Sequence, residues 1–199
     1  MRGRTVAGLS VAASVGLVAF ILIQMSSLEQ GDAGAKRGEG ASQATACVEA
    51  DDTDCLPGHA MEDIDGTTWD AASMAGKVVI VNLWATWCRP CLVEIPDLAE
   101  VHDRYRDEDF VLLGIMTDQP SDEDLAEFSE RTGLNYPVVR ADAEILRAFE
   151  LPDVLPTTLV YDRGGQMVFR HQGVVTADQM AAVVDDLLAQ KAPEVDGQP

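Results

Sequence analysis

Apolar and polar positions fall into blocks along the chain, and the blocks differ in period. Val78-Val79-Ile80-Val81-Asn82-Leu83-Trp84 is short, nearly unbroken and rich in β-branched residues, the pattern of a central strand buried on both faces. Asn82 is its only polar member. After Cys91 the period becomes helical: Leu92, Ile95, Leu98, Ala99, His102 and Tyr105 predict a stripe facing a sheet, with a kink at Pro96, whose ring clashes with the carbonyl of Leu92. Residues 110–116 predict a second buried strand, followed by a helix capped by Ser121 and stopped at Gly133. A short strand at 136–140 and a short helix at 142–150 come next. Residues 157–161 and 166–171 predict an antiparallel hairpin through Asp162-Arg163-Gly164-Gly165. Thr176-Ala177-Asp178-Gln179 is a capping box opening a last helix with Met180, Val183, Val184, Leu187 and Leu188 inward.

Ahead of the first long strand, Asp65-Gly66 marks a turn between short strands, and 70–75 predict one helical segment ending at Gly76. Strands and helices that alternate and end in a hairpin and a helix predict an α/β fold. A central mixed β-sheet with helices on both faces makes three layers. This domain is expected to span 58–190, with a polar tail at 191–199.

The amino end has a different pattern. Arg2 and Arg4 precede an uncharged apolar run over 6–23, which as a helix spans about 27 Å, close to the hydrocarbon thickness of a bilayer. Residues 1–25 are therefore expected to be an export signal, either an uncleaved inner-membrane anchor with the arginines on the cytoplasmic side or a cleaved signal peptide. Ala33-Gly34-Ala35 offers a small-residue cleavage site for the second reading, which would leave a soluble periplasmic protein. Residues 26–57 are expected to be an acidic tether containing Cys47 and Cys55.

The charge of −20 excludes nucleic acid as an expected partner and disfavours an anionic membrane surface. It suits a solvated acidic domain. Chemistry is concentrated in Cys88-Arg89-Pro90-Cys91, where the central strand gives way to a helical pattern. Two cysteines three positions apart across a first helical turn point their sulfurs to one side. Unpaired N–H groups and the positive dipole end favour a thiolate there, most of all at Cys88, beside Arg89. Pro90 loses no helical hydrogen bond at such a position. Cys88 is thus the expected nucleophile, and the alternatives are half of a zinc site or a structural disulfide.

Cys47 and Cys55 enclose seven residues, and in an oxidising compartment they are expected to form a structural disulfide. A relay that exchanges with Cys88 and Cys91 is the alternative. The enclosed acids lack the glycine and terminal glutamate of a calcium loop. His102 is expected to be a satisfied core histidine, and His59 and His171 have less to recommend them.

The run Val81-Asn82-Leu83-Trp84-Ala85-Thr86-Trp87-Cys88-Arg89-Pro90-Cys91, followed by Glu94-Ile95-Pro96 and later by Leu155-Pro156-Thr157-Thr158, resembles the exported, membrane-tethered branch of the thioredoxin superfamily, the TlpA/ResA-like thiol-disulfide oxidoreductases. The resemblance implies a thioredoxin-like fold, a redox-active Cys88/Cys91 pair, and a cis-proline at Pro156 facing it. It also implies a proton-carrying role for Glu94, which periodicity alone places at the margin of the buried stripe. Asn82 departs from cytoplasmic thioredoxin, which has a buried acid at that position. Protein disulfides or dithiols are the implied substrates, and a membrane thiol-disulfide carrier the implied electron donor. Cytochrome c maturation is one implied task, and no cofactor or metal is expected. A thioredoxin-fold copper metallochaperone is the alternative from another class, and a peroxidase of the same fold a third. The first predicts a histidine near the cysteines, and the second a lone cysteine in a threonine-containing loop.

Overall fold

The computed structural model describes residues 54–191. The expected anchor or signal at 1–25, Cys47 with the rest of the tether up to 53, and the tail from 192 lie outside those residues. The strands β1 (Met61–Glu62) and β2 (Thr68–Trp69) pair antiparallel across the Asp65-Gly66 turn. Helix α1 (Ala71–Met74) follows, opened by a capping box between Asp70 and Ser73. Then come β3 (Val78–Trp84), α2 (Arg89–Tyr105), β4 (Phe110–Met116), α3 (Asp122–Thr132), β5 (Val138–Arg140), α4 (Ala143–Ala148), β6 (Thr157–Tyr161), β7 (Met167–Gln172) and α5 (Ala177–Ala189).

The main sheet has the order β5-β4-β3-β6-β7, with β3 parallel to β4 and antiparallel to β6. Every residue of β3 and β4 is buried, as two apolar runs without alternation require. Val78, Ile80, Phe110, Leu112 and Val160 face Leu98 and Val101 of α2 and Met180 and Val184 of α5. Val79, Val81, Leu83, Leu113 and Ile115 point the other way, towards Met74 and Ile145. Burying each such side chain contributes about 1.5–3 kcal/mol, so β3 and β4 hold the two outer layers to one sheet. A third cluster joins Trp84 and Met116 to Leu125 and Phe128 of α3, with the Trp84 and Phe128 rings stacked at 5.3 Å.

The structure differs from the sequence expectations at several edges, each for a local reason. The domain starts before Gly58: Cys55 bridges Gln166, and the Leu56 N–H donates to the Gly165 carbonyl at 2.8 Å. That bridge takes residue 166 out of β7, which begins at Met167. Strand β5 starts only at Val138, since Pro137 has no N–H for a ladder. Helix α4 ends at Ala148, before Glu150 with its positive φ of 47°. Helix α2 runs on through Pro96 as one helix. Its buried face is rotated from the expected one, because Glu94 and Val101 are buried while Leu92 and His102 are only half-buried.

His102 is not the satisfied core histidine that was expected. Its Nδ1 is buried without a hydrogen-bond partner, and its ring lies 6.5 Å from that of Tyr136. Burial is the largest influence on it and holds the imidazole below its ordinary pKa; Asp103 opposes that and Arg106 adds to it.

Gly114 sits opposite Asn82 in the β3–β4 register and leaves room for two aromatic groups. A Cβ there would lie 2.8 Å from Trp84 Nε1 and 2.9 Å from Tyr136 Cε2. Gly114→Ala is therefore expected to lower stability by about 1–3 kcal/mol through overpacking, read as a drop in the denaturant midpoint. An unchanged midpoint would mean that these rings are not fixed against the sheet.

Candidate active site

The carboxyl end of β3 turns directly into α2, and this junction brings the two cysteines together. Cys88 is the N-cap residue: its Sγ accepts from the Cys91 N–H at 3.2 Å. Cys88 and Cys91 form a disulfide with the sulfurs 2.05 Å apart and the Cα atoms 5.3 Å apart. Arg89 and Pro90 occupy the first helical positions, where the missing proline N–H has no partner to lose. Both sulfur-bearing residues are buried, Cys91 wholly, while neighbouring Trp87 is 70% exposed. The disulfide thus lies at the surface edge of an apolar cluster that includes Trp84, Ile95, Met116 and Phe128.

Glu94 is not at the margin of the buried stripe as expected; it has no exposed surface. It follows Cys91 by three positions on the same buried face. Asn82 Nδ2 donates to Glu94 Oε1 at 2.7 Å and to Thr158 Oγ1 at 3.1 Å, and the Val175 N–H donates to Glu94 Oε2 at 3.1 Å. No cation contacts the carboxyl through any of these bonds. Burial accordingly pushes Glu94 up to about 7; the Asn82 and Val175 hydrogen bonds oppose the shift, and the charge of Asp97 adds to it. Tyr136 is held above the ordinary tyrosine range, by burial first and then by the charge of Glu94.

The peptide between Leu155 and Pro156 is cis, and Leu155 packs against the cluster containing both cysteines. Pro156 is buried, and its carbonyl accepts from the Gly173 N–H at 2.8 Å. Sequence reasoning missed the hydrogen bonds that hold the segment ahead of Cys88 to the loop after β4. The Thr117 N–H and hydroxyl both donate to the Trp84 carbonyl, at 2.9 and 3.0 Å. Asp118 accepts from the Thr86 N–H at 3.2 Å and from the Thr86 hydroxyl. Nothing in the spacing of Thr86 and Asp118, 32 residues apart, signals this pairing. Asn82 was visible as an odd polar residue and as a departure from cytoplasmic thioredoxin, but not its partners, which come from α2 and β6.

Of the second pair, only Cys55 falls among the described residues, and it is not brought to this site. Cys55 is buried and not free, and Cys47 lies outside the described residues. Cys55 bridges Gln166, whereas the end of β7 near the disulfide is Gln172, which pairs with Thr157. The strand between them has six residues, a separation of about 20 Å. His171, on β7, pairs with Thr158 of β6 and is half-buried. Among the described residues no group of three or more His, Cys, Asp or Glu is arranged to hold a metal ion, and no helix is long and apolar enough to cross a membrane.

Comparison with known proteins agrees with this geometry. Residues 53–170 match the model of the AhpC/TSA family. The thiol-disulfide oxidoreductase ResA of Geobacillus thermodenitrificans is 30% identical over 126 residues, covering 62% of this chain and 71% of that protein. ResA of Bacillus subtilis is 28% identical over 133 residues, covering 66% and 71%. Among solved structures, a thiol:disulfide interchange protein of the thioredoxin family from Chlorobium tepidum superposes with a TM-score of 0.61 at 30% identity, over 68% of this chain and 96% of that one. A secreted thiol-disulfide isomerase from Corynebacterium glutamicum does so with a TM-score of 0.61 at 26% identity, over 68% and 86%.

The buried carboxyl makes stability depend on pH in a defined direction. Glu94 binds its proton up to about pH 7 when folded but only up to about 4.5 when unfolded. Between these values the folded state holds more protons, so stability falls as pH rises, by on the order of 3 kcal/mol across the window. Glu94→Gln is expected to abolish that fall. Denaturant midpoints of both proteins at pH 5 and 8 check it, and parallel changes in the two would contradict it.

Proposed function

The chain belongs to the AhpC/TSA family and is a thiol-disulfide oxidoreductase of thioredoxin-like fold, and on that premise we propose that it reduces partner-protein disulfides outside the cytoplasm through Cys88 and Cys91. The observation that carries this reading is the disulfide across the first turn of α2, with Cys88 as the cap. In the reduced protein the Cys88 thiolate, favoured by the helix terminus, attacks one sulfur of the partner's disulfide. A Cys88–partner bond forms, and the partner's other sulfur leaves as a thiolate. Cys91 gives its proton to Glu94 and attacks Cys88 Sγ, expelling the second partner thiolate. Two electrons have then passed to the partner, and the Cys88–Cys91 disulfide remains.

Glu94 suits the proton step because burial keeps its carboxyl near neutrality, where it can take a proton as well as give one. Pro156 would lie beside the mixed disulfide, where it offers no N–H, while the neighbouring backbone is open to a substrate strand. A membrane thiol-disulfide carrier would return the electrons, and haem attachment to cytochrome c is one setting for such a reductase. Residues 1–25 would hold the domain at the inner membrane, facing the periplasm or exterior. That the similar Corynebacterium glutamicum isomerase is a secreted protein supports export.

The two cysteines have separable roles, which trapping can test. Cys88→Ala is expected to abolish insulin reduction, whereas Cys91→Ala accumulates mixed disulfides with partner proteins, visible on a non-reducing gel. Equal trapping by both variants would overturn the assignment. For Cys47 and Cys55 we propose a structural disulfide at the far edge of the sheet. The double change Cys47→Ser, Cys55→Ser should leave insulin turnover within about twofold of the parent. A fall of about tenfold in turnover with the natural partner, or about 1.4 kcal/mol, at unchanged Cys88/Cys91 potential would make the pair a relay.

A further inference from the structure

The polar contacts of Glu94 contain an asymmetry that the exchange reaction does not explain. Both carboxyl oxygens face donors, Asn82 Nδ2 at 2.7 Å and the Val175 N–H at 3.1 Å. That arrangement suits a carboxylate. A protonated carboxyl must itself donate, and neither of these two contacts offers its O–H an acceptor. Asn82 Oδ1 is buried and has no hydrogen-bond partner at all. It belongs to the same amide whose nitrogen now holds Glu94 and Thr158.

We propose that the Asn82 amide turns over when Glu94 takes up a proton, so that Oδ1 replaces Nδ2 between Glu94 and Thr158. Asn82 and Thr158 are then positioning residues that act through Glu94. A half-turn about the last side-chain bond exchanges Oδ1 and Nδ2 and moves no backbone atom. In the turned position Oδ1 accepts from the Glu94 O–H, and the Thr158 hydroxyl, which now accepts, rotates to donate to the same oxygen. Each contact survives with its direction reversed. The present orientation already leaves Oδ1 unpaired, so turning the amide gives up no hydrogen bond at that end. An aspartate at this position would bring a second buried negative charge, and an aliphatic residue would offer nothing to either form. An amide serves both.

The inference rests on the proposed role of Glu94 as proton carrier. The titratable neighbours of that carboxyl are Cys91 and Asp97 on α2, one turn either side, and Tyr136 from the segment before β5. β3 and β6 face it with neutral Asn82 and Thr158, and the segment before α5 with the Val175 backbone. His171 lies next to Thr158 in register on β7, and Asp178, in the first turn of α5, is exposed. The Tyr136 hydroxyl is also buried without a partner, and it makes no hydrogen bond to Glu94. Thr158 is two residues from Pro156, so the proton on Glu94 sets the polarity of a hydroxyl beside the proposed substrate strand.

Side-chain amide NMR of the oxidised, full chain tests this directly. Above the Glu94 midpoint, the Asn82 Nδ2 protons should show cross-relaxation to the Thr158 side chain. Below it these contacts should vanish, with the same midpoint as the Glu94 carboxyl carbon. The change should persist in Thr158→Ser and in Tyr136→Phe, and be absent in Glu94→Gln. Asn82 contacts that stay constant while Glu94 titrates, in a protein that still reduces insulin, would overturn the inference and leave the exchange reaction standing. Loss of the change in Tyr136→Phe would overturn it too, by making the tyrosine the acceptor.

Discussion

A carboxyl group enclosed by neutral hydrogen-bond donors, with no cation to pair with, is the constraint around which this domain is arranged. Desolvation disfavours the charged form by several kcal/mol unless the site compensates, and here the compensation is one amide from β3 and one backbone N–H ahead of α5. Each comes from an element that the core fixes independently. β3 is held on both faces, α5 by Met180 and Val184, and α2 by Leu98 and Val101. The packed core thus sets the distance between Glu94 and its donors, and through α2 it places Cys91 one turn away.

The same junction explains why the cysteines sit where they do. A strand that ends at Trp84 and a helix that begins at Arg89 leave four residues to reverse direction, and Cys88 closes the turn as the cap. The loop after β4 holds this turn from the side, through Thr117 on Trp84 and Asp118 on Thr86. Chemistry and fold therefore share their parts: the helix terminus that favours a thiolate is also the start of the helix that buries the acid.

Much of this was legible in the sequence because the elements concerned have a single strong signal. The bounds of β3, β4 and β6, the caps Ser121 and Thr176, and the turn at Asp65-Gly66 follow from apolar runs and side chains that satisfy backbone donors locally. Glu94 was read as marginal because a polar residue is not counted in an apolar stripe, although Cys91, Glu94, Leu98, Val101 and Tyr105 recur at helical spacing. Residues 55–57 were assigned to the tether because joining Cys55 to Gln166 depends on two segments more than 100 residues apart, which no local pattern encodes. The partners of Asn82 and of Asp118 escaped for the same reason. His102 was counted into the buried stripe, but the rotated face leaves it half-buried, with its ring 6.5 Å from that of Tyr136 and its Nδ1 without a partner.

The proposed role of Glu94 as a buried proton carrier for Cys91 can be checked by titrating its carboxyl carbon by NMR in the oxidised and reduced proteins. In the oxidised protein the midpoint is expected near 7, because burial outweighs the two hydrogen bonds. Reduction should move that midpoint further, because a thiol able to exchange its proton then lies one helical turn away. A midpoint in the ordinary carboxylate range, unmoved by reduction, would contradict it.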